Sequence, residues 1–417
     1  MKQIKHRAQQ FLFLLYFPLH CLIYLFSFVI PRNKKIFLYG SFFGESFSDN
    51  SKYLFLISNE KRSDIIHVWI STNREDIKQI RSKGFKAFHK FSLKGVYYEF
   101  MAGSHFYTQS VWDTSFFITH NANRVNLWHG IPLKKIGADC YPPTKPSILR
   151  EAINNRPYIF EAKEMVLVPS KFVYPFFSSA FRVSSSSLLI APYPRLMLFL
   201  MDKTELFTWI RDFETDYVKT ILDKANKYEN IWTYMPTWRD ANPSFITEAI
   251  KDWNEFDEIA RNNNALLIVK VHFMTKMPEG LESLTNIIFY DSKADFYPIL
   301  ALSDLLITDY SSVFFDYLLM KKPIIFYAFD LEDYKLNSRN MYFDYEEIVF
   351  GNIIYSYKEL VKLLATSNFK NMTLEVNNER ENLLSKMWGA EYLDSNQELF
   401  YFNVQKILGA STDNKFD

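Results

Sequence analysis

Short apolar runs alternate with polar stretches of helical length along most of the chain. That alternation predicts an α/β protein built on parallel strands. A first strand is expected over 35–40, followed by a turn from Gly40 to Gly44 and a helix over 50–59. A second strand covers 65–70 and a polar helix 73–83, and further short strands fall at 104–108, 125–128 and 165–168. The last of these runs into Pro169-Ser170-Lys171, a turn that leads into another helix. A polar helical stretch over 203–227 then separates two halves. The second half places strands at 231–235 and near 266–271, 287–290, 305–308 and 323–327. Its helices are expected near 244–262, 295–302, 312–320 and 357–366. Buried strands joined by helices of this length are βαβ units. No short-period repeat or low-complexity tract interrupts the series, and the chain after Gly409 reads as frayed.

The pattern changes at the start of the chain. Residues 11–30 are apolar almost throughout, long enough to cross a bilayer. No small-residue cleavage site follows, which argues against a signal peptide. Lys2, Lys5 and Arg7 precede the stretch and Arg32, Lys34 and Lys35 follow it, so charge gives no orientation. Pro18 and His20 interrupt a straight span. A helix lying in the inner leaflet, or dipping and returning, lets both basic flanks touch anionic lipid. A single span and a buried first helix of the fold are the competing readings. At 417 residues the chain is expected to hold two domains. The expected division is a membrane-associating segment over 1–33, α/β domains over 34–205 and 206–400, and a tail over 401–417.

Composition narrows the class. Hydrophobic residues at 48% against 23% charged place the chain among globular proteins. A net charge of +1 gives no support for nucleic-acid binding. Cys21 and Cys140, the only cysteines, cannot form a disulfide framework or a zinc site by themselves, which makes a reducing cytosol the default.

Candidate chemistry gathers where strands are expected to end. Residues 305–327 read as a buried strand, a polar turn, a short helix and a second buried strand. The turn, Thr308-Asp309-Tyr310-Ser311-Ser312, falls at a helix start, where unpaired N–H groups and a partial positive charge suit a phosphate. Asp316 lies four residues after Ser312, on the same helix face. Ordinary helix capping is the competing reading of these serines. In Trp128-His129-Gly130 an imidazole stands at a strand's carboxyl end, where it suits a general base. Gly130 allows a tight turn beside it, and Lys134 and Lys135 could attract an anionic acceptor. A structural histidine bonded to a nearby carbonyl is the alternative. The run Leu266–Phe273 ends in Lys270-Val271-His272, with Lys270 and His272 on one face of the strand. Such a pair suits a pyrophosphate or leaving phosphate, and a capped strand end with a surface lysine is the plainer reading. Arg239, in Pro236-Thr237-Trp238-Arg239, is a candidate for bidentate phosphate binding, against a local ion pair. Arg339 is a further candidate phosphate ligand. The chain has no Asp-x-Asp pair, P-loop, His-Glu-x-x-His or Gly-x-Ser-x-Gly. A metal-bridged diphosphate thereby loses support, and Lys270, His272, Arg239 and a helix start would have to replace the metal.

Taken together these motifs resemble the CDP-glycerol glycerophosphotransferase family, which builds and primes teichoic acids. The resemblance covers roughly residues 34–390. It rests on Trp128 through Gly137, Pro236 through Arg239, Lys270-Val271-His272, and Thr308 through Ser312 with Asp316. Asp49-Asn50-Ser51-Lys52-Tyr53 and Tyr342-Phe343-Asp344-Tyr345 match more weakly. The resemblance implies two Rossmann-like domains in a GT-B-like arrangement, the first for the acceptor and the second for the donor, with the active site in the cleft. It implies CDP-glycerol or CDP-ribitol as donor and no cofactor. The acceptor would be lipid-linked or polymeric, and the enzyme would sit peripherally or monotopically on the cytoplasmic face of the cell membrane. His129 matches the proposed base, and His272, Ser311, Ser312 and Asp316 match donor-side residues. Thr308, Arg239, Lys270, Arg339 and Lys134 are further expected substrate contacts. CMP would leave as the polyol phosphate passes to a hydroxyl of a teichoic acid or capsule precursor.

Three departures bear on substrate identity more than on reaction class. Pro192-Tyr193-Pro194-Arg195-Leu196-Met197 stands where the family usually has a Gly-x-Pro-Arg-Asn-Asp-like run. Phe273 replaces the usual Pro after Lys-x-His, and Asn340 replaces the Gly after the late Arg. A GT-B glycosyltransferase using a nucleotide sugar is the enzymatic rival, and a non-catalytic membrane scaffold is the rival of a different class. The presence of both histidines and both serines argues against a decayed site.

Overall fold

The computed structural model describes residues 18, 22–23, 25–115, 121–140, 164–239, 241–337, 340–366, 377–389 and 397–410. Two parallel sheets carry the described fold. The first contains β1 (Asn33–Tyr39), β2 (Ile66–Ser71), β3 (Lys86–His89), β4 (Ala102–Tyr107), β5 (Asn123–Asn126), β6 (Glu164–Val168) and β7 (Leu188–Ile190). Its order is β3-β2-β1-β4-β5-β6-β7. The second contains β8 (Asn230–Met235), β9 (Ala265–Val269), β10 (Ile287–Phe289), β11 (Leu305–Thr308), β12 (Ile324–Tyr327) and β13 (Ile353–Ile354). Its order, β10-β9-β8-β11-β12-β13, repeats the logic of the first. Each sheet reverses direction of growth beside its own first strand, at β1/β4 and at β8/β11. Such switch points open a crevice beyond the carboxyl ends of the strands.

Helices cover both faces, so central strands read as continuous apolar runs rather than alternating ones. All five residues of β9 and all four of β11 are buried. The helix Asp49–Lys61 is buried over its first ten residues, Asn50, Ser51 and Lys52 included. Lys52 Nζ pairs with Glu214 and with Asp295 Oδ2 at 3.0 Å, and Tyr53 Oη donates to Asp295 at 2.8 Å. These contacts tie the two halves together.

Two helical stretches are each broken by a cap. The expected helix over 203–227 divides into Lys203–Phe213 and Asp216–Ala225, because Thr215 accepts from Val218 N and starts a second helix. The stretch 244–262 divides into Phe245–Ala249 and Trp253–Asn262, the second capped by Asp252. Strands β3, β7 and β13 and the helix Leu93–Met101 were not expected. The strands are short, and β3 reads Lys-Ala-Phe-His, too polar to stand out.

The chain end also differs from expectation. Residues 401–410 belong to a helix, Gln397–Ala410, which buries Val404, Ile407 and Leu408. Together with Asn377–Trp388 it leads the chain back to the first half. Ser170 Oγ donates to Lys386 O at 2.9 Å, and Trp388 packs on Tyr193 while its Nε1 donates to Phe315 O at 2.7 Å. Most of the 11–30 stretch lies outside the described residues. Within it Leu22, Leu25, Phe26, Phe28 and Val29 are exposed. Among the described residues no helix is long and apolar enough to cross a membrane.

Candidate active site

His129 lies just beyond β5. Asn126 Oδ1 accepts from Trp128 N at 3.0 Å, and the chain turns through Trp128 at φ 50° and Gly130 at φ 141°. Non-glycine residues rarely adopt positive φ, so the turn holds strain. His129 Nδ1 lies 3.2 Å from the Thr108 carbonyl oxygen at the end of β4. A carbonyl only accepts, so Nδ1 carries the hydrogen and Nε2 keeps its lone pair. Burial pushes the imidazole below its ordinary value, outweighing the nearby Asp49 carboxylate. A neutral ring with its lone pair on Nε2 is the form a general base requires.

Thr108 is held in turn. The Asp113 carboxylate accepts from Phe43 N at 2.8 Å, from Thr108 N and Gln109 N at 2.9 Å each, and from Thr108 Oγ1 at 3.2 Å. The loop after β1 packs on Asp113 so closely that a Cβ at Gly40 would lie 2.3 Å from the Asp113 carbonyl oxygen.

The second sheet presents the candidate donor side. At its switch point Thr308 Oγ1 donates to Met235 O at 2.7 Å, and Asp309 Oδ1 accepts from Thr237 N at 2.8 Å. Thr308 is therefore fully buried and fastens two strand ends, where substrate contact was expected. Arg239 departs from expectation too. Its Nε and Nη2 donate to Asp330 at 2.7 and 2.8 Å, Nη2 donates to Asp309 at 2.8 Å and Nη1 to Thr237 O. Its guanidinium lies 4.8 Å from the ring centroids of both Tyr310 and Tyr334. With its donors committed to carboxylates, Arg239 organises the loops instead of binding phosphate. Burial opposes its charge, but Asp309 and Asp330 hold its pKa above the ordinary value.

Ser311 and Ser312 are half-buried at the start of a short helix, Val313–Tyr317. Ser311 Oγ accepts from Val313 N at 3.5 Å, a weak cap. Ser312 Oγ makes no hydrogen bond among the described residues. A Cβ at Gly130 would lie 3.6 Å from Ser312 Oγ, so the histidine turn and the serine turn face one another. Beyond β9, Lys270 and His272 are half-buried. Lys270 Nζ donates to Asp291 O at 3.3 Å, and burial lowers its pKa to about 8. His272 Nδ1 accepts from Met274 N at 3.4 Å, which leaves the ring hydrogen on Nε2, a donor suited to a phosphate oxygen. Its ring lies 5.1 Å from Trp238.

Asp316 is buried rather than open to a ligand. Its Oδ2 accepts from Arg195 Nη2 and from Tyr297 Oη, while its buried Oδ1 has no partner among the described residues. Lys134 Nζ donates to Tyr334 Oη at 3.2 Å, in a segment that pairs antiparallel with Met341. Arg339 lies outside the described residues. Sequence reasoning missed Arg195 and Asp113. The arginine kept within Pro192–Arg195 was the signal for the first; nothing in Trp112-Asp113-Thr114 marked the second. Among the described residues no group of three or more His, Cys, Asp or Glu is placed to hold a metal ion.

The match to known proteins is broad. A family model described as CDP-glycerol:poly(glycerophosphate) glycerophosphotransferase matches residues 22–389. A teichoic acid poly(glycerol phosphate) polymerase of Bacillus spizizenii is 29% identical over 359 residues, covering 82% of this chain and 86% of that one. A teichoic acid glycerol-phosphate transferase of Staphylococcus aureus is 28% identical over 351 residues, covering 80% and 84%. The solved wall teichoic acid polymerase TagF superposes with a TM-score of 0.70 over 99% of both chains, at 18% identity, a likeness of fold.

Proposed function

The chain belongs to the CDP-glycerol:poly(glycerophosphate) glycerophosphotransferase family, and from that premise we propose that it moves glycerol phosphate from CDP-glycerol to a hydroxyl of a teichoic acid or capsule precursor. It is an enzyme of the CDP-polyol phosphotransferase class, acting in teichoic acid biosynthesis. Glycerol is preferred to ribitol because two relatives that match this chain over more than four fifths of their length are glycerol-phosphate enzymes.

The observation that carries the chemistry is the 3.2 Å contact of His129 Nδ1 to the Thr108 carbonyl oxygen, from which a neutral ring keeps its lone pair on Nε2. The acceptor hydroxyl attacks the glycerol-bearing phosphorus and a P–O bond forms. The bond from that phosphorus to the bridging oxygen breaks, and CMP leaves with the electron pair. His129 Nε2 takes the hydroxyl proton. Ser312 Oγ, His272 Nε2 and the Lys270 ammonium meet the diphosphate and its growing negative charge. The arrangement is read as GT-B, with the acceptor on the first sheet and the donor on the second.

The exposed apolar residues Leu22, Leu25, Phe26, Phe28 and Val29, followed by Arg32, Lys34 and Lys35, support a peripheral or monotopic seat on the cytoplasmic leaflet, where a lipid-linked acceptor would be met. Profiling CMP release with CDP-glycerol, CDP-ribitol and several nucleotide sugars, each with a lipid-linked acceptor, tests the proposal. Turnover with CDP-glycerol is expected. Turnover with a nucleotide sugar alone would replace the chemistry with glycosyl transfer.

A further inference from the structure

The turn that carries His129 is held from outside. Asn50 Nδ2 donates to Leu127 O at 3.2 Å and to Trp128 O at 2.8 Å. Arg195 Nη2 donates to the next carbonyl, His129 O, at 3.0 Å. Three consecutive carbonyls are thus pinned by two buried side chains. The two are joined, because Arg195 N donates to Asn50 Oδ1 at 3.3 Å. The same guanidinium reaches both sides of the cleft. Its Nη1 donates to Asp49 Oδ1 at 2.7 Å, on the first-sheet side, and its Nη2 pairs with Asp316 behind the serine turn. Tyr297 backs the guanidinium at 4.2 Å from its ring centroid and donates to Asp316 as well. Gly130 makes room for this crossing: a Cβ there would lie 3.3 Å from Arg195 Nη2.

We propose that Arg195, working with Asn50, is a positioning residue that fixes the strained Trp128–Gly130 turn and sets the His129 imidazole in register with the Ser311–Ser312 turn across the cleft. A strained turn persists only where its surroundings over-determine it. Two carboxylates and a carbonyl lie in different directions around one side chain. A planar guanidinium with five donors satisfies that geometry, and a lysine ammonium on a flexible stem does not. The role predicts a catalytic penalty without a donor-binding penalty, since misplacement of about 1 Å costs on the order of 100-fold in rate.

The inference rests on the phosphotransferase reading for its kinetic arm only. Arg195→Lys, Arg195→Gln and Asn50→Ala would be compared with wild type in the full chain. The first readout is kcat and KM for CDP-glycerol. The second is the titration of His129 by histidine-selective NMR, with His129→Gln identifying its signal. For both Arg195 variants kcat is expected to fall by on the order of 100-fold with KM changed by less than about threefold. In Arg195→Gln the His129 titration should move to higher pH, because a positive charge that opposes its protonation is removed. If Arg195→Gln does not fold, Asn50→Ala, which keeps the charge cluster, carries the test through kcat at unchanged KM. Folded variants with wild-type kcat would overturn the proposal whatever the titration does, as would a loss confined to donor KM. A wild-type protein that turns over no CDP-polyol would sink the donor reading; a His129 titration that still moves in Arg195→Gln would then show only that the guanidinium stands against the imidazole, and an unmoved one would remove that contact as well.

Discussion

His129 Nδ1 and the Thr108 carbonyl oxygen stand 3.2 Å apart, and that contact decides which ring nitrogen can accept a proton. The histidine is thereby both bonded to a carbonyl and available as a base. The structural contact uses one ring nitrogen, and the proposed base would use the other.

The acid limb of the pH–rate profile should reflect this. Burial lowers the His129 pKa, so kcat is expected to hold at pH values below the ordinary imidazole range near about 6.5 before it declines. On the alkaline side Lys270 loses its charge at about pH 8, and through that point KM for the donor should rise and kcat should fall, because the ammonium meets both the diphosphate and its growing charge. Lys270→Met should remove the alkaline rise in KM. An alkaline limb that survives this substitution would show that another group titrates there.

Asp113 touches no reactant, yet the account makes His129 depend on it. One carboxylate accepts four hydrogen bonds from Phe43, Thr108 and Gln109. An amide keeps only one accepting oxygen. Asp113→Asn is expected to lower kcat by up to about 100-fold, because loosening the Thr108 carbonyl misplaces the His129 ring, and to lower the melting temperature. Steady-state rates and thermal melts of the variant check both parts. Unchanged kcat in a folded variant would cut the link from Asp113 to His129.

Arg239 was expected on a phosphate and is instead clasped by Asp309 and Asp330. Removing one partner of a buried ion pair typically costs about 3–5 kcal/mol, because the other charge remains buried. Arg239→Gln should therefore melt well below wild type. The phosphate-ligand reading predicts the opposite: unaltered melting and a raised donor KM.

Acid should also loosen the fold through His105. Its ring is buried beside Thr114, and burial lowers its pKa from the ordinary value to about 3. The unfolded chain takes up this proton near about pH 6.5 and the folded chain does not. Stability from this group is present above pH 6.5 and is lost as pH falls toward 3, by up to about 1.4 kcal/mol per pH unit. Melting temperature should fall as pH drops from 7.5 to 5, and less steeply in His105→Gln. An equal slope in both proteins would remove His105 from the explanation.

The sequence disclosed those parts of the fold whose residues announce themselves locally. Runs such as Leu305–Thr308 and Leu266–Val269 are apolar because they are buried on both faces, so their strands were legible. Strand β7 is apolar but only three residues long, and β3, with Lys86 and His89, carries no apolar run; both are held by their neighbours in the sheet. His129, His272, Ser311 and Ser312 could be read from strand ends followed by polar turns. The partners of Arg239 and Asp316 could not, because Asp330 and Arg195 lie 91 and 121 residues away in the chain. Long-range ion pairs leave no periodicity. Arg195 was noticed only as part of a departing motif, and its role appears once the two halves are folded together.

The most direct test of the account is CMP release from CDP-glycerol in the presence of a lipid-linked acceptor, measured for wild type and His129→Ala alongside calorimetric binding of CDP-glycerol to each. The account predicts release by wild type, a loss of roughly 100-fold or more in the variant, in line with removal of a general base, and donor affinity within about threefold of wild type. Release by the variant at the wild-type rate, or loss of donor binding in a variant that still folds, would contradict the assignment of His129 as the base.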